Sequence, residues 1–203
     1  MEEKIINKRV RDFSKTTDII QTVAIFLIAF LVPTFLGQAI KAIFGAASPI
    51  TSNSQIIVGS IVNTALVMAA INLKGWWKIL GVVTMPSIST ILSGVVFPAP
   101  ASKYMLFMIP AIWVGNSALV YAFKFLMLTK KQNYFLAGVV GIVVKVAVIF
   151  GFFMLLNKGF NVFPDKIAVN LTKAMGMIQL ITASVGCVVS SLIYYSEKKS
   201  IKE

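Results

Sequence analysis

Long apolar runs alternate with short polar connections along almost the whole chain. Each run approaches or exceeds the length of about 20 residues that a helix needs to cross roughly 30 Å of hydrocarbon. The runs extend over about Ile19–Phe44, Ser54–Asn72, Ile79–Phe97, Tyr104–Leu128, Tyr134–Asn157 and Asn170–Tyr195. The pattern predicts an all-α integral membrane protein with six transmembrane helices in one compact bundle.

The composition supports this prediction. Apolar residues make up 58% of the 203 residues and charged residues 13%. A soluble domain carries about 25% charged residues. Because six spans use most of the chain, no room remains for a separate soluble domain. We therefore predict a single domain over residues 1–203, of which residues 1–18 form a basic cytoplasmic segment.

Lysine and arginine residues lie mostly on one side of the predicted bundle. With the amino terminus inside, most of the 19 basic residues fall at the cytoplasmic ends of the spans, in residues 1–15, 74–78, 124–131 and 198–202. Cytoplasmic loops of membrane proteins carry this excess of positive charge. The net charge of +12 is then explained by the membrane topology, and no nucleic-acid partner is predicted. Both termini are expected in the cytoplasm of a bacterial cell, which agrees with an even number of spans.

The chain offers few residues for catalysis or metal binding. It contains no histidine, the commonest metal ligand and general base, and one cysteine, Cys187, inside an apolar run. The predicted spans contain no aspartate or glutamate. Because no nucleophile–base pair or carboxylate cluster can be assembled within the bilayer, we predict a protein that is not an enzyme and holds no metal or cofactor.

Lys145 lies near the middle of the fifth predicted span, with no acidic partner in any span. A charged side chain at this depth is costly unless it is paired or near water. Three interpretations are open. The side chain can snorkel or be held by carbonyl groups and water, it can lose its proton through desolvation, or a bound anion can supply the missing charge. We favour the third interpretation, in which Lys145 contacts an anionic ligand.

Other polar residues lie at compatible depths in different spans. Asn63 lies near the middle of the second span and Asn116 near the middle of the fourth. Lys173 and Gln179 lie successively deeper in the sixth. Each of them alone is more often an interhelical hydrogen-bonding group than a ligand contact. Because they come from several spans and accompany Lys145, we predict that all five residues bind substrate.

Small residues and prolines mark where helices approach closely or open. Small residues four positions apart occur in several spans, as Ala65 with Ala69, Ala111 with Gly115, and Ala137 with Gly141. Most such pairs pack the bundle, but Ala65 and Ala69 are also candidates for docking a partner subunit. Three prolines are expected to kink their helices or open them toward a cavity: Pro33, Pro86 and Pro110.

Three segments of the chain resemble the substrate-binding S components of energy-coupling-factor (ECF) transporters, the vitamin-uptake branch of ABC transporters. They are Gly59–Ala65 (GSIVNTA), Met108–Asn116 (MIPAIWVGN) and Met177–Leu180 (MIQL). With the six-span layout, the resemblance covers about Ser54–Tyr195. It implies a six-helix substrate-binding protein whose pocket opens toward the outside. It further implies docking on a membrane coupling subunit that is driven by two cytoplasmic ATPases.

The chain departs from the family at one point. The family's alanine pair four apart in the first span is missing, because Ala24 and Ala29 are five apart. The docking surface that the resemblance implies is therefore in doubt, and Ala65 with Ala69 is the possible substitute. The chain also has no Gly-x-x-x-x-Gly-Lys-Ser/Thr motif, so that any ATP must bind another subunit.

Two functions remain open. The leading hypothesis is an S component, embedded in membrane lipid, that captures a small vitamin or cofactor precursor bearing a carboxylate or phosphate. Its pocket is expected to be apolar and lined by aromatic residues and methionine. The alternative is a small membrane subunit that scaffolds a multi-subunit complex and binds no solute. A membrane enzyme ranks third.

Overall fold

The computed structural model describes residues 5–9, 13–45, 47–93 and 101–200, with the backbone alone at 101–103 and 197–200. All regular secondary structure in these residues is helical. The α-helices are α1 (Lys15–Leu31), α2 (Gly37–Phe44), α3 (Pro49–Ser52), α4 (Ser54–Asn72), α5 (Trp76–Ser93), α6 (Ala101–Lys124), α7 (Tyr134–Met154), α8 (Asp165–Met175) and α9 (Met177–Ser200). A 3-10 turn at Ile5–Asn7 precedes α1. Turns of π-helix follow α1, α6 and α7, at Val32–Leu36, Phe125–Thr129 and Leu155–Gly159.

Five helical segments among the described residues are long and apolar enough to cross a membrane. They are Lys15–Phe44, Ser54–Asn72, Tyr104–Thr129, Tyr134–Gly159 and Asp165–Ser196. Large apolar side chains such as Ile20, Leu27 and Phe135 are exposed on these helices, as expected where lipid is the solvent. The all-helical, multi-pass character predicted from the hydropathy pattern is confirmed in the described part of the chain.

The third predicted span, Ile79–Phe97, corresponds to α5, whose apolar part is shorter than the other five. The predicted end of this span lies outside the described residues. The 18 residues of α5 extend over about 27 Å at about 1.5 Å per residue, slightly less than the hydrocarbon thickness.

The first helical segment, Lys15–Phe44, changes from α-helix to π-helix around Pro33. Proline has no backbone N–H and cannot complete the regular helical ladder, and here a π-helical turn replaces one turn of α-helix. The Ser89 hydroxyl on α5 donates to the carbonyl oxygen of Phe30 and bonds with the Thr34 hydroxyl. These hydrogen bonds attach the first helical segment to α5 at the π-helical turn.

The sixth predicted span is divided into two helices. Gly176, between α8 and α9, has φ −98° and ψ −93°, which is not helical. The sixth predicted span, Asn170–Tyr195, begins too late in the sequence, because α8 begins at Asp165. α8 is amphipathic, with Leu171 buried and Lys173 exposed.

Two helix pairs make the most extensive contacts, α4 with α9 and α6 with α7. A Cβ atom added at Gly186 would lie 2.5 Å from the Cβ atom of Asn63. One added at Gly115 would lie 2.6 Å from the Ile149 side chain and 3.2 Å from the carbonyl oxygen of Lys145. These glycines let the backbones approach closely, and they bring the helices that carry Asn63 and Lys145 into the centre of the bundle.

The described amino-terminal residues are attached to the bundle end that contains the α4–α5 connection. The backbone N–H of Gly75 donates to the carbonyl oxygen of Ile6 at 3.0 Å. The buried Lys124 ammonium donates to the carbonyl oxygens of Lys8 at 2.6 Å and of Leu73 at 2.7 Å. Lys124 therefore joins the amino-terminal segment, the end of α4 and the end of α6.

Candidate functional site

A cavity of about 90 Å³ lies among five helices near the middle of the bundle. Residues of α4, α5, α6, α7 and α9 line it, together with Pro33 from the π-helical turn. Pro86 of α5 lines the same cavity, so that two of the three predicted helix-opening prolines border it. Pro110 borders a different, apolar groove between α6 and α7.

Lys145 is the one charged residue among the described residues that line the cavity. It lies near the middle of α7, and its side chain is 2% exposed. Its ammonium Nζ donates to the amide oxygen Oδ1 of Asn63 on α4. This is the one hydrogen bond of Nζ among the described residues, so that two of its three N–H donors have no protein acceptor there.

Asn63 is held in one orientation by its own hydrogen bonds. Its Nδ2 donates to the carbonyl oxygen of Gly59 at 2.8 Å and to Oγ1 of Thr182 on α9 at 3.2 Å. The Thr182 hydroxyl donates in turn to the carbonyl oxygen of Gln179 at 3.2 Å. Because both bonds of Asn63 use its NH₂ group, its carbonyl oxygen is directed at Lys145.

Asn116 and Ser87 supply further polar groups to the wall of the cavity. Asn116 on α6 is 3% exposed and donates from Nδ2 to the carbonyl oxygen of Val83 on α5 at 3.3 Å. The Ser87 hydroxyl on α5 is buried and has no hydrogen-bond partner. A buried polar atom without a partner is costly, and a ligand or water in the cavity is a physical explanation for this one.

Protonated Lys145 gives the site a net positive charge. No aspartate or glutamate is among the described residues that line it, and the other polar lining groups are amides and hydroxyls. No group of three or more histidine, cysteine, aspartate or glutamate residues able to hold a metal ion occurs in the described part of the chain. The arrangement is therefore chemically suited to an anion.

Four of the five predicted substrate-binding residues lie together in this cavity, namely Lys145, Asn116, Gln179 and Asn63. Lys173 does not line it, because it is exposed on the polar face of α8. The prediction that Lys173 contacts a ligand has no support from this geometry and stays a prediction.

The predicted docking pair lies inside the bundle. Ala65 is 3% exposed and Ala69 is fully buried, since both belong to the core cluster around α4. Their methyl groups therefore pack between helices of this chain, which is the usual role of small residues four apart. Neither side chain forms an exposed surface for a partner.

Three features of the site were missed by the sequence pattern. Ser87, Thr182 and Gln55 line the cavity without having been selected. Hydroxyl side chains in spans often bond the preceding turn of their own helix, so that a serine or threonine gives little signal by itself. The expected methionine lines the cavity as Met105, together with several isoleucines and valines. The described lining contains no aromatic ring, and the expected aromatic contacts stay a prediction.

Comparison with protein-family models, curated proteins and solved structures finds no match to this chain. The resemblance to ECF S components therefore stays a prediction that rests on three sequence segments. The function has to be argued from the geometry and charge of the cavity.

Proposed function

We propose that the chain is the membrane-embedded substrate-binding subunit of an uptake system for a small anionic vitamin or cofactor precursor. A separate membrane coupling subunit and two ATPases drive the transport, as in the ECF transporters that the sequence resembles. The observation that carries the proposal is Lys145, a cation enclosed beside a cavity whose described lining contains no carboxylate.

The cost of burying a charge favours a bound anion over a purely structural lysine. A snorkelling lysine extends along the helix until its ammonium reaches the headgroup region. Lys145 is instead 2% exposed near the middle of α7 and contacts the neutral oxygen of Asn63. One neutral acceptor offsets little of the desolvation cost of an ammonium, whereas an anion in the adjacent cavity offsets much more.

The depth of the cavity agrees with uptake from outside. It is lined by the amino-terminal parts of α4, α6 and α9 and by the carboxyl-terminal part of α5. These helix ends lie on the side of the bundle opposite the α4–α5 connection. The basic residues concentrate on the side of that connection. If α5 crosses the membrane in addition to the five longer segments and both termini are cytoplasmic, the cavity extends from the level of Lys145 toward the outer side.

Purification in mild detergent tests the proposal. Mass spectrometry of small molecules released from the full-length protein should find an anion in stoichiometric amount, and gentle purification should retain partner ATPases. Repeated preparations that hold partner proteins but no small molecule above background would favour the scaffold alternative.

A further inference from the structure

We infer that the ligand of this cavity is a small aliphatic monocarboxylate, and that aromatic acids and phosphate esters bind much more weakly. This substrate class presupposes the proposed function and narrows it. It follows from three properties of the cavity: the chemistry of its apolar wall, its volume, and the number of charges in it.

The apolar wall is aliphatic. Among the described lining residues, the apolar contacts come from side chains such as Val58, Val62, Ile91, Met105, Ile109 and Ile112. The chain contains 15 phenylalanines, 5 tyrosines and 3 tryptophans, so that rings are not scarce. The described rings lie elsewhere, for example Phe153 in the second core cluster and Phe107 on the exposed surface of α6. A flat heteroaromatic ligand would find no ring in the described lining to stack on.

The volume of the cavity favours a small ligand, since about 90 Å³ is available in it. Pockets that enclose drug-sized molecules have about 300–1,000 Å³. A short or compact aliphatic acid fits this space, whereas a two-ring cofactor does not.

The hydrogen-bond donors of the cavity without a protein partner match one negative charge. Lys145 has two N–H donors without a protein acceptor among the described residues, and the Ser87 hydroxyl is without a partner. A carboxylate has two oxygens and one charge, which these donors can satisfy. A phosphate monoester carries close to two charges at neutral pH and would lack a second cation, since no other lysine or arginine lines the described cavity.

A set of five commercial compounds tests the substrate class on purified full-length protein in mild detergent. Cyclohexanecarboxylate and hexanoate represent the predicted class, and benzoate is the aromatic match of the first. Hexyl phosphate carries the larger charge, and hexanamide carries none. Thermal stability is measured against the concentration of each compound at constant pH and ionic strength, and the saturation curve yields an apparent dissociation constant.

Two variants distinguish binding in the cavity from uptake by the detergent micelle, which also takes up aliphatic acids. Lys145→Met removes the charge, and Ile109→Phe keeps the charge but fills the cavity. We expect saturable stabilisation of the wild-type protein by cyclohexanecarboxylate and hexanoate, absent in both variants. Benzoate, hexyl phosphate and hexanamide should each bind at least about tenfold more weakly.

The outcomes distinguish this substrate class from the proposed function. Benzoate or hexyl phosphate binding as tightly as the aliphatic acids, and lost in Lys145→Met, would overturn the substrate class but leave an anion site. Equal stabilisation of the wild type and both variants would place the effect in the micelle and overturn the class as well. If none of the anions stabilises the wild type, the substrate class is wrong and the anion site loses its support.

Discussion

The ammonium of Lys145 donates to the amide oxygen of Asn63, which joins the middle of α7 to the middle of α4 across 82 positions of sequence. Asn63 is in turn bonded to Thr182 on α9, so that three helices meet at one buried cation. The bond connects a charged group to a neutral one, and the compensating charge is missing.

Replacing Asn63 by aspartate should supply the missing charge from the protein itself. Asn63→Asp keeps the shape of the side chain and converts the bond to Lys145 into a charge pair. Because the cation is then neutralised, anion affinity should fall by about 30-fold or more. Binding of the ligand identified from wild-type protein, measured by equilibrium dialysis, tests this. Unchanged affinity in Asn63→Asp would show that the anion does not depend on the charge of Lys145.

The close approach of α4 and α9 should be sensitive to one methyl group. Gly186→Ala places a Cβ atom 2.5 Å from the Cβ atom of Asn63 and 2.8 Å from the backbone nitrogen of Thr64. Since backbone must move, we expect a loss of about 1–3 kcal/mol of stability. Gly151→Ala is the matched control, because nothing lies within 4 Å of its added Cβ atom. Thermal unfolding in detergent should rank Gly186→Ala well below both the control and the wild type, and equal stability of the two variants would contradict the packing described.

Lys124 should hold the amino-terminal segment in place. Lys124→Met leaves the carbonyl oxygens of Lys8 and Leu73 without their donor, which should cost about 1–3 kcal/mol and expose the segment to proteases. The exposed Lys74, one residue beyond Leu73, supplies the control Lys74→Met. Limited proteolysis with analysis of the amino-terminal fragments should show faster cleavage only in Lys124→Met. Identical cleavage in the two variants would mean that the bonds of Lys124 do not secure the segment.

The proposed topology should be visible with accessibility tags. Tags at both termini and in residues 129–133 should report the cytoplasm, and a tag in residues 45–53 should report the outside. A carboxyl terminus on the outside would contradict six spans, because only an even number returns the chain to the side on which it began.

Much of this arrangement can be read from polar residues within apolar runs. Lys145, Asn63 and Asn116 stand out because burial of a charge or an amide in a membrane span is costly and needs a partner. All three line the cavity. Small residues four apart likewise mark close helix contacts, and Gly115 lies against the Lys145 backbone where α6 meets α7.

Other features depend on geometry that a linear pattern does not contain. Lys173 was assigned to the site on the assumption of one continuous sixth helix, but the break at Gly176 leaves it on the exposed face of α8. Ser87 and Thr182 became part of the site through helix packing, which their residue types do not reveal. The aliphatic wall was also not predictable, because the described aromatic residues are distributed between both core clusters and the exposed surface.

The most direct test of an anion bound at Lys145 is parallel purification of three proteins: the wild type, Lys145→Met, and Lys166→Met as a control at an exposed lysine of α8. The amount of small anion released per mole of folded protein is measured by mass spectrometry, together with thermal stability. We predict stoichiometric release from the wild type and Lys166→Met and a loss of most of it in Lys145→Met, since removing one partner of a desolvated charge pair costs about 2–5 kcal/mol of binding. Equal release from all three proteins, with Lys145→Met the most stable, would contradict the account and make Lys145 a structural residue.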